Sequence, residues 1–458
     1  MMETGKKFEA GAKVPLSLFR KLLHRGARQN AARILAKAYP VDVARLLSAL
    51  GGAERAQSFS IMLEECDISH VASVLSEMST DDSIALLAWL DPTRIAQLLS
   101  EMADDDATLL ASRLTEPLAS QVLARMEAEP AADVRELLEH EERTAGRIMT
   151  RDVFTLDEDL TVSEAITALQ RRSEEFEMVL YIYVLDRRDH LVGVVSLRQL
   201  LTTPPSTQLK RIMSTNVITA KTTTDQEEVA RLVAEYNLLA IPIVDDEDKL
   251  VGIVTVDDAI DVVQEEVAED LMALAGVATE EHISTIASRS LRLRAPWLLI
   301  NLVTASVAAL VVSRFEGQIS QRPVLAVLMP IVAGLGGNAA TQTLAVVIRG
   351  MTLGEMTAVT WFTLKSILVG AGNGLIVGLV GATVAALFTH NLWYGVVLAA
   401  AMVINMVVAG AVATLIPVTL KKLQIDPAVA SSIFVTACTD VCGFFSFLGL
   451  ATLLMRLL

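Results

Sequence analysis

The last third of this chain constrains its fold more than any other feature. Residues 296–458 hold five long apolar stretches and only eleven charged side chains: Arg314, Glu316, Arg322, Arg349, Glu355, Lys365, Lys421, Lys422, Asp426, Asp440 and Arg456. About 20 apolar residues carry a helix across about 30 Å of hydrocarbon, and the stretches at 295–314, 323–348, 358–388, 392–420 and 427–456 all reach that length. We therefore expect a transmembrane domain of five helices over 291–458, with some spans long enough to tilt or break. Arg289, Arg292 and Arg294 precede the first span, and Arg349, Lys365, Lys421 and Lys422 fall on the same side of a five-span chain. The positive-inside rule then puts the N-terminus in the cytoplasm and the C-terminus outside a plasma (inner) membrane crossed several times.

Removing the four acids and seven bases of 296–458 from the totals of 54 and 38 leaves 50 acidic and 31 basic residues in 1–295. The net charge there is −19, against −16 for the whole chain. That excess excludes a nucleic-acid-binding face and calls for cationic partners. Cys66, Cys438 and Cys442 are too few and too scattered for a disulfide framework. The opening MMETGKKFEA lacks the apolar core of a signal peptide, so residues 1–295 are expected to stay in the cytoplasm.

Polar groups inside the spans need a protein or water partner. Asp440 lies in the middle of SSIFVTACTDVCGFFSFLGLAT, where an ionised carboxylate costs on the order of 3 kcal/mol. No other acid is buried comparably and a basic partner is hard to find, so a water-filled cation path suits it better than a structural role. The second span carries PIVAGLGGNAATQT, with Gly334, Gly336, Gly337, Asn338, Thr341 and Gln342. Small residues at such spacing pack helices closely, but packing does not explain Asn338 and Gln342 four residues apart on one face. A broken helix exposing carbonyl and amide oxygens to a pore explains both. Cys438 and Cys442 flank Asp440, and with no histidine or methionine to complete a soft-metal site they read as packing residues.

In the soluble part, VLSEMSTDDSIALLAWL at 74–90 returns as LLSEMADDDATLLASRL at 98–114, a period of 24 residues. Each unit reads as two short helices with an acidic first turn, so residues 1–140 form an α-helical, solenoid-like N domain. Helix capping accounts for most of Asp81, Asp82, Asp104, Asp105 and Asp106, although three consecutive aspartates leave Asp105 to face a partner or cation. After EERTAGRIMT the pattern alternates between β and α twice. VFTL, VSEAITALQRR, YIYVLD and LVGVVSLRQLL make the first copy, and VITA, QEEVARLVAEY, IPIVDD and LVGIVTVDDAIDVV the second. This resembles paired cystathionine β-synthase (CBS) modules, α/β folds placed here at 141–203 and 204–263; such pairs sense nucleotides or ions. Beyond the second copy a continuous helix, TVDDAIDVVQEEVAEDLMALAGV, leads toward the first span, with the acidic connecting (plug) helix placed at 264–290. From Asp257 through Asp258, Asp261, Glu265, Glu266, Glu269 and Asp270 the carboxylates recur with no base between Lys249 and Arg289. Like charges at about 5 Å cost roughly 3 kcal/mol per pair at an effective dielectric near 20, so divalent cations are the expected neutralisers.

Together these parts resemble the MgtE family of magnesium channels and transporters, most strongly in YIYVLD, TDQEEVARL, LVGIVTVDD, GGNAATQ and TDVCGF. The resemblance implies a homodimer in the membrane lipid, with a pore lined by the second and fifth spans and Asp440 of both subunits holding a hydrated Mg2+. Gly337, Asn338 and Gln342 would belong to that path. It further implies that Asp105, Asp225, Glu227, Asp258, Glu266, Glu269, Asp270 and Asp426 match the family's cytoplasmic Mg2+ sites, which close the pore when internal Mg2+ is high. Some members bind ATP in the CBS pair through an acid after SLR and an aromatic residue in the second copy. Here Gln199 and Leu238 stand in those places, which argues against ATP control and leaves Thr255 and Asp258 as the ribose contacts. Asn237 occupies a place where an acid occurs, which weakens one sensor site.

No enzyme is expected. An intramembrane metalloprotease needs a motif like HExxH, whereas His24, His70, His140, His190 and His282 all precede the spans and His390 lies between two of them. The alternative is a secondary transporter coupling divalent cations to Na+ or H+, against which stands the single intramembrane acid.

Overall fold

The structure, a computed structural model, describes residues 15–172, 179, 181–278, 281, 285–352, 356, 358–424 and 427–454. The chain divides into two compact units, Met1–Val263 and Gln264–Leu458.

The first unit opens with α1 (Leu16–His24), α2 (Arg28–Lys37), α3 (Pro40–Ser48), α4 (Gly52–Glu65), α5 (Ile68–Ser76), α6 (Thr80–Leu87), α7 (Pro92–Leu99), α8 (Asp104–Arg113), α9 (Glu116–Leu123) and α10 (Ala128–Glu139). Each is short, so none is stable alone, and one apolar face of each is spent on a shared core. Val71, Leu75, Leu87, Ile95, Leu99, Leu110 and Val134 belong to it. The 24-residue repeat is visible as α5–α6 and α7–α8. Its turns are closed by caps: the Ser79 hydroxyl accepts from the Asp82 N–H at 3.3 Å, and the Asp91 carboxylate accepts from the Thr93 and Arg94 N–H groups.

After α11 (Ala145–Ile148) come two copies of one small sheet. In the first, β1 (Thr155–Asp157) runs parallel to β2 (Tyr181–Leu185), which pairs antiparallel with β3 (Leu191–Ser196). In the second, β4 (Ala220–Lys221), β5 (Ala240–Val244) and β6 (Leu250–Thr255) repeat that order. The central strand AIPIV is buried along its whole length, as its unbroken apolar run requires. Helices α12 (Val162–Arg172), α13 (Leu197–Thr202) and α14 (Gln226–Tyr236) complete the pair. The left-handed turn at Asn237, φ 52°, ends α14 and suits an asparagine better than most side chains. The connecting helix α15 (Val256–Leu274) grows directly from β6.

The second unit holds α16 (Ala287–Ser313), α17 (Glu316–Gln321), α18 (Val324–Thr352), α19 (Val359–Thr389), α20 (Leu392–Lys422) and α21 (Pro427–Leu454). Five of them are long and apolar enough to cross a membrane. Helix α20 is the most enclosed and packs on α18, α19 and α21. Helices α19 and α20 meet backbone to backbone: a Cβ on Gly374 would lie 2.7 Å from Val403 Cα, and one on Gly395 would lie 2.5 Å from Ala382 O. Gly372, on the same helix as Gly374, faces open space. We therefore expect Gly374→Ala to lower the melting temperature of the detergent-solubilised protein, at a cost of about 1–3 kcal/mol, and Gly372→Ala to leave it unchanged.

The second span does not break. Helix α18 runs unbroken through PIVAGLGGNAATQT, and the broken helix expected from that motif is not found. Its Gly336 is instead a contact point, because a Cβ there would overlap the Asn405 side-chain amide, whereas Gly334 and Gly337 meet nothing within 4 Å.

Candidate functional site

Asp440 sits midway along α21, half-buried. It makes no hydrogen bond or ion pair among the described residues, so the reading of a paired structural acid has no partner to rest on. Helix α21 packs against α18, whose Asn338, Thr341 and Gln342 are exposed on the isolated chain beside the half-buried Gly337. Polar side chains facing outward from a hydrophobic span need a partner on the helix itself, water or a second subunit to satisfy them. The Thr341 hydroxyl donates back to Gly337 O at 3.0 Å, leaving Asn338 and Gln342 to present amide groups. Cys438 and Cys442 are free thiols, half-buried on the same helix.

In the first unit the acids of α8 and of the start of α15 converge. Asp105 is half-buried, and its Oδ1 is buried with no hydrogen-bond partner. Burial pushes its carboxyl well above the ordinary range, and the charges of Asp258 and Asp106 push it further. Burial likewise raises Asp258, to about 6, with Asp257 and Asp106 adding to the effect and hydrogen bonds from Thr255 opposing it. Glu77 is raised by burial and by Asp106 and Asp261. A carboxylate oxygen buried without a hydrogen-bond partner among like charges is what a cation would relieve, and this donor set of hard oxygens fits Mg2+. Among the described residues no group of three or more acids, cysteines or histidines is placed to hold a metal ion directly.

Asp225 caps α14, accepting from the Glu227 N–H at 2.8 Å. Thr255 and Asp258 engage each other, the Asp258 carboxylate accepting from the Thr255 N–H and hydroxyl. Glu266, Glu269 and Asp270 follow on α15, and Asp270 accepts from the Thr352 hydroxyl at the end of α18, 3.1 Å away. Three residues on, Ala273 is buried against Ala340, Leu344 and Ile348 of α18, Ala409 and Ala413 of α20, and Val435 of α21. Asp426 lies outside the described residues.

Sequence reasoning missed several groups. Bases do reach the N-domain acids: Arg55 pairs with Asp82, and Arg151 donates to Asp133 at 2.9 Å and to Glu136 at 2.5 Å. Glu281 holds Arg294, at the start of α16, through bonds of 2.6–3.0 Å. Asn405 is fully buried in α20, and a lone amide in an apolar span was the signal that could have revealed it.

Comparison with known proteins adds the following. The family described as MgtE, divalent cation transporter, matches residues 329–450; the MgtE intracellular N domain matches 38–143; and the CBS domain matches 145–205 and 209–265. The magnesium transporter MgtE of Enterococcus faecalis is 37% identical over 331 residues, covering 72% of this chain and 73% of that protein. The magnesium transporter MgtE of Thermus thermophilus is 35% identical, covering 71% and 73%. Among solved structures, the cytosolic domain of the Mg2+ channel MgtE in complex with ATP is 34% identical with a TM-score of 0.51, covering 54% of this chain and 99% of that one. The soluble part of a magnesium transporter is 29% identical with a TM-score of 0.50, covering 55% and 97%. The reading against a nucleotide does not fit the first of these structures, which was solved with one bound.

Proposed function

Because the chain belongs to the MgtE family of magnesium transporters, we propose that it is a Mg2+-selective channel of the plasma (inner) membrane, built as a homodimer and closed by cytoplasmic Mg2+. The observation that carries this reading is the partnerless carboxylate of Asp440 in a membrane span, packed beside a helix that turns Asn338 and Gln342 outward. Two copies about a two-fold axis bring two such carboxylates to one path, where they attract a divalent ion that keeps its inner waters. The soluble N domain, the CBS pair and α15 lie in the cytoplasm, and the C-terminus lies outside.

Closure follows from the charges. With internal Mg2+ high, Asp105, Asp258 and the acids of α15 are neutralised and the compact arrangement is favoured. With it low, their mutual repulsion favours a looser one. The seat of Ala273 against α18, α20 and α21, with the Asp270–Thr352 hydrogen bond, is where α15 would transmit that change to the spans. This is population shift by differential ion affinity. Asp225, Glu227 and Asp426 are assigned to further cytoplasmic sites.

A nucleotide in the CBS pair is a second reading, favoured by the relative solved with ATP. Thr255 and Asp258 would take the ribose, giving up the hydrogen bonds they now make to each other.

Purified protein in liposomes should admit Mg2+ down its own gradient with Na+ and pH equal on both sides. Uptake that requires a Na+ or H+ gradient would instead establish the coupled transporter.

A further inference from the structure

We propose that Asn405 is a positioning residue that fixes the separation of α18 and α21 at the level of Asp440, and thereby sets which hydrated divalent cation passes. The inference rests on the reading that these two helices line the ion path. Asn405 is fully buried in α20 among Ala401, Met402, Met406 and Ala409. Its Nδ2 donates to the Val332 carbonyl of α18 at 3.0 Å. The same amide fills a notch made by glycines on two other helices. A Cβ on Gly336 of α18 would overlap it, and one on Gly443 of α21 would come within 2.7 Å of Nδ2.

The other half of the amide tells against a purely structural purpose. Asn405 Oδ1 is buried with no hydrogen-bond partner, which an apolar side chain of similar size would avoid. The position supplies a purpose. Gly336 directly precedes Gly337 and Asn338, and Gly443 follows Asp440 by three residues, about one helical turn. Both helices therefore rest on one side chain at the depth of the ion path, and that side chain is sealed off from solvent. Mg2+ keeps its inner waters in rigid octahedral geometry whereas Ca2+ sheds them and accepts irregular coordination, so a fixed gap favours Mg2+ and a slack one admits Ca2+.

The test compares influx of Mg2+ and Ca2+ into liposomes for the parent, Asn405→Ala, Gly336→Ala, the double variant and Asp440→Asn. Asn405→Ala should stay monodisperse and lower the Mg2+/Ca2+ ratio roughly fivefold, and Gly336→Ala alone should lose roughly tenfold in Mg2+ influx, since polar sites tolerate displacements of only about 0.5 Å. The double variant should recover most of that loss, because the vacated amide volume accepts the new Cβ. Should Asn405→Ala not fold, Asn405→Ser, which shortens the arm but keeps a donor, gives the same ratio. A parent-like ratio in the folded Asn405 variant, or parent-like flux in Gly336→Ala, overturns the spacer even when Asp440→Asn blocks flux. Parent-like flux in Asp440→Asn instead removes the ion path on which the spacer depends.

Discussion

Replacing Asp440 by asparagine should abolish Mg2+ uptake while leaving folding and dimerisation intact. The amide keeps the size and hydrogen-bonding capacity of the side chain and removes only its charge. At about 5 Å and an effective dielectric near 20, a unit charge attracts a divalent ion by roughly 6–7 kcal/mol. Losing that attraction from both subunits should reduce flux by more than about a hundredfold, since each 1.4 kcal/mol is a factor of ten. Asp440→Glu keeps the charge and moves it by one methylene, so it should conduct with altered selectivity. A structural acid predicts the reverse ranking, because a neutral amide is the cheaper group to bury. Flux measured in liposomes for both variants separates the two, and normal uptake through the asparagine form would remove Asp440 from the path.

The second large effect concerns the gate. Changing Asp258, Glu266, Glu269 and Asp270 together to their amides removes the repulsion and the sites that Mg2+ would bridge. In the parent, millimolar Mg2+ should slow cleavage at Arg143, which is exposed in the linker EERTAGRIMT. In the fourfold variant that protection should vanish, and cytoplasmic Mg2+ should no longer close the pore. Full protection of the variant would place the sensor elsewhere.

The architecture was legible in the sequence because each part carries its own period. The repeat of VLSEM and LLSEM, the doubled β and α alternation, and the five apolar stretches each correspond to observed elements. What stayed hidden depends on which side chains meet across elements. The glycines of PIVAGLGGNAATQT suggested a break, yet α18 stays helical and its Gly336 instead makes room for Asn405, on a helix some seventy residues further on. The continuous helix read in TVDDAIDVVQEEVAEDLMALAGV is α15, which begins at Val256 in continuation of β6 and ends at Leu274. Arg55 and Arg151 are distant in sequence from the acids they neutralise, so charge density along the chain overstated the number of unpaired carboxylates. The meeting of Asp105 with Asp258 is likewise a product of tertiary packing, and only the three consecutive aspartates hinted at it.

Recording from the purified parent protein in a planar bilayer, with Mg2+ the only permeant cation and its cytoplasmic concentration stepped, tests the central claim most directly. The account predicts discrete openings, each passing many ions, at low cytoplasmic Mg2+, and silence as it rises into the millimolar range. Mg2+ flux without discrete openings, proceeding only when a Na+ or H+ gradient is imposed and indifferent to cytoplasmic Mg2+, would contradict it.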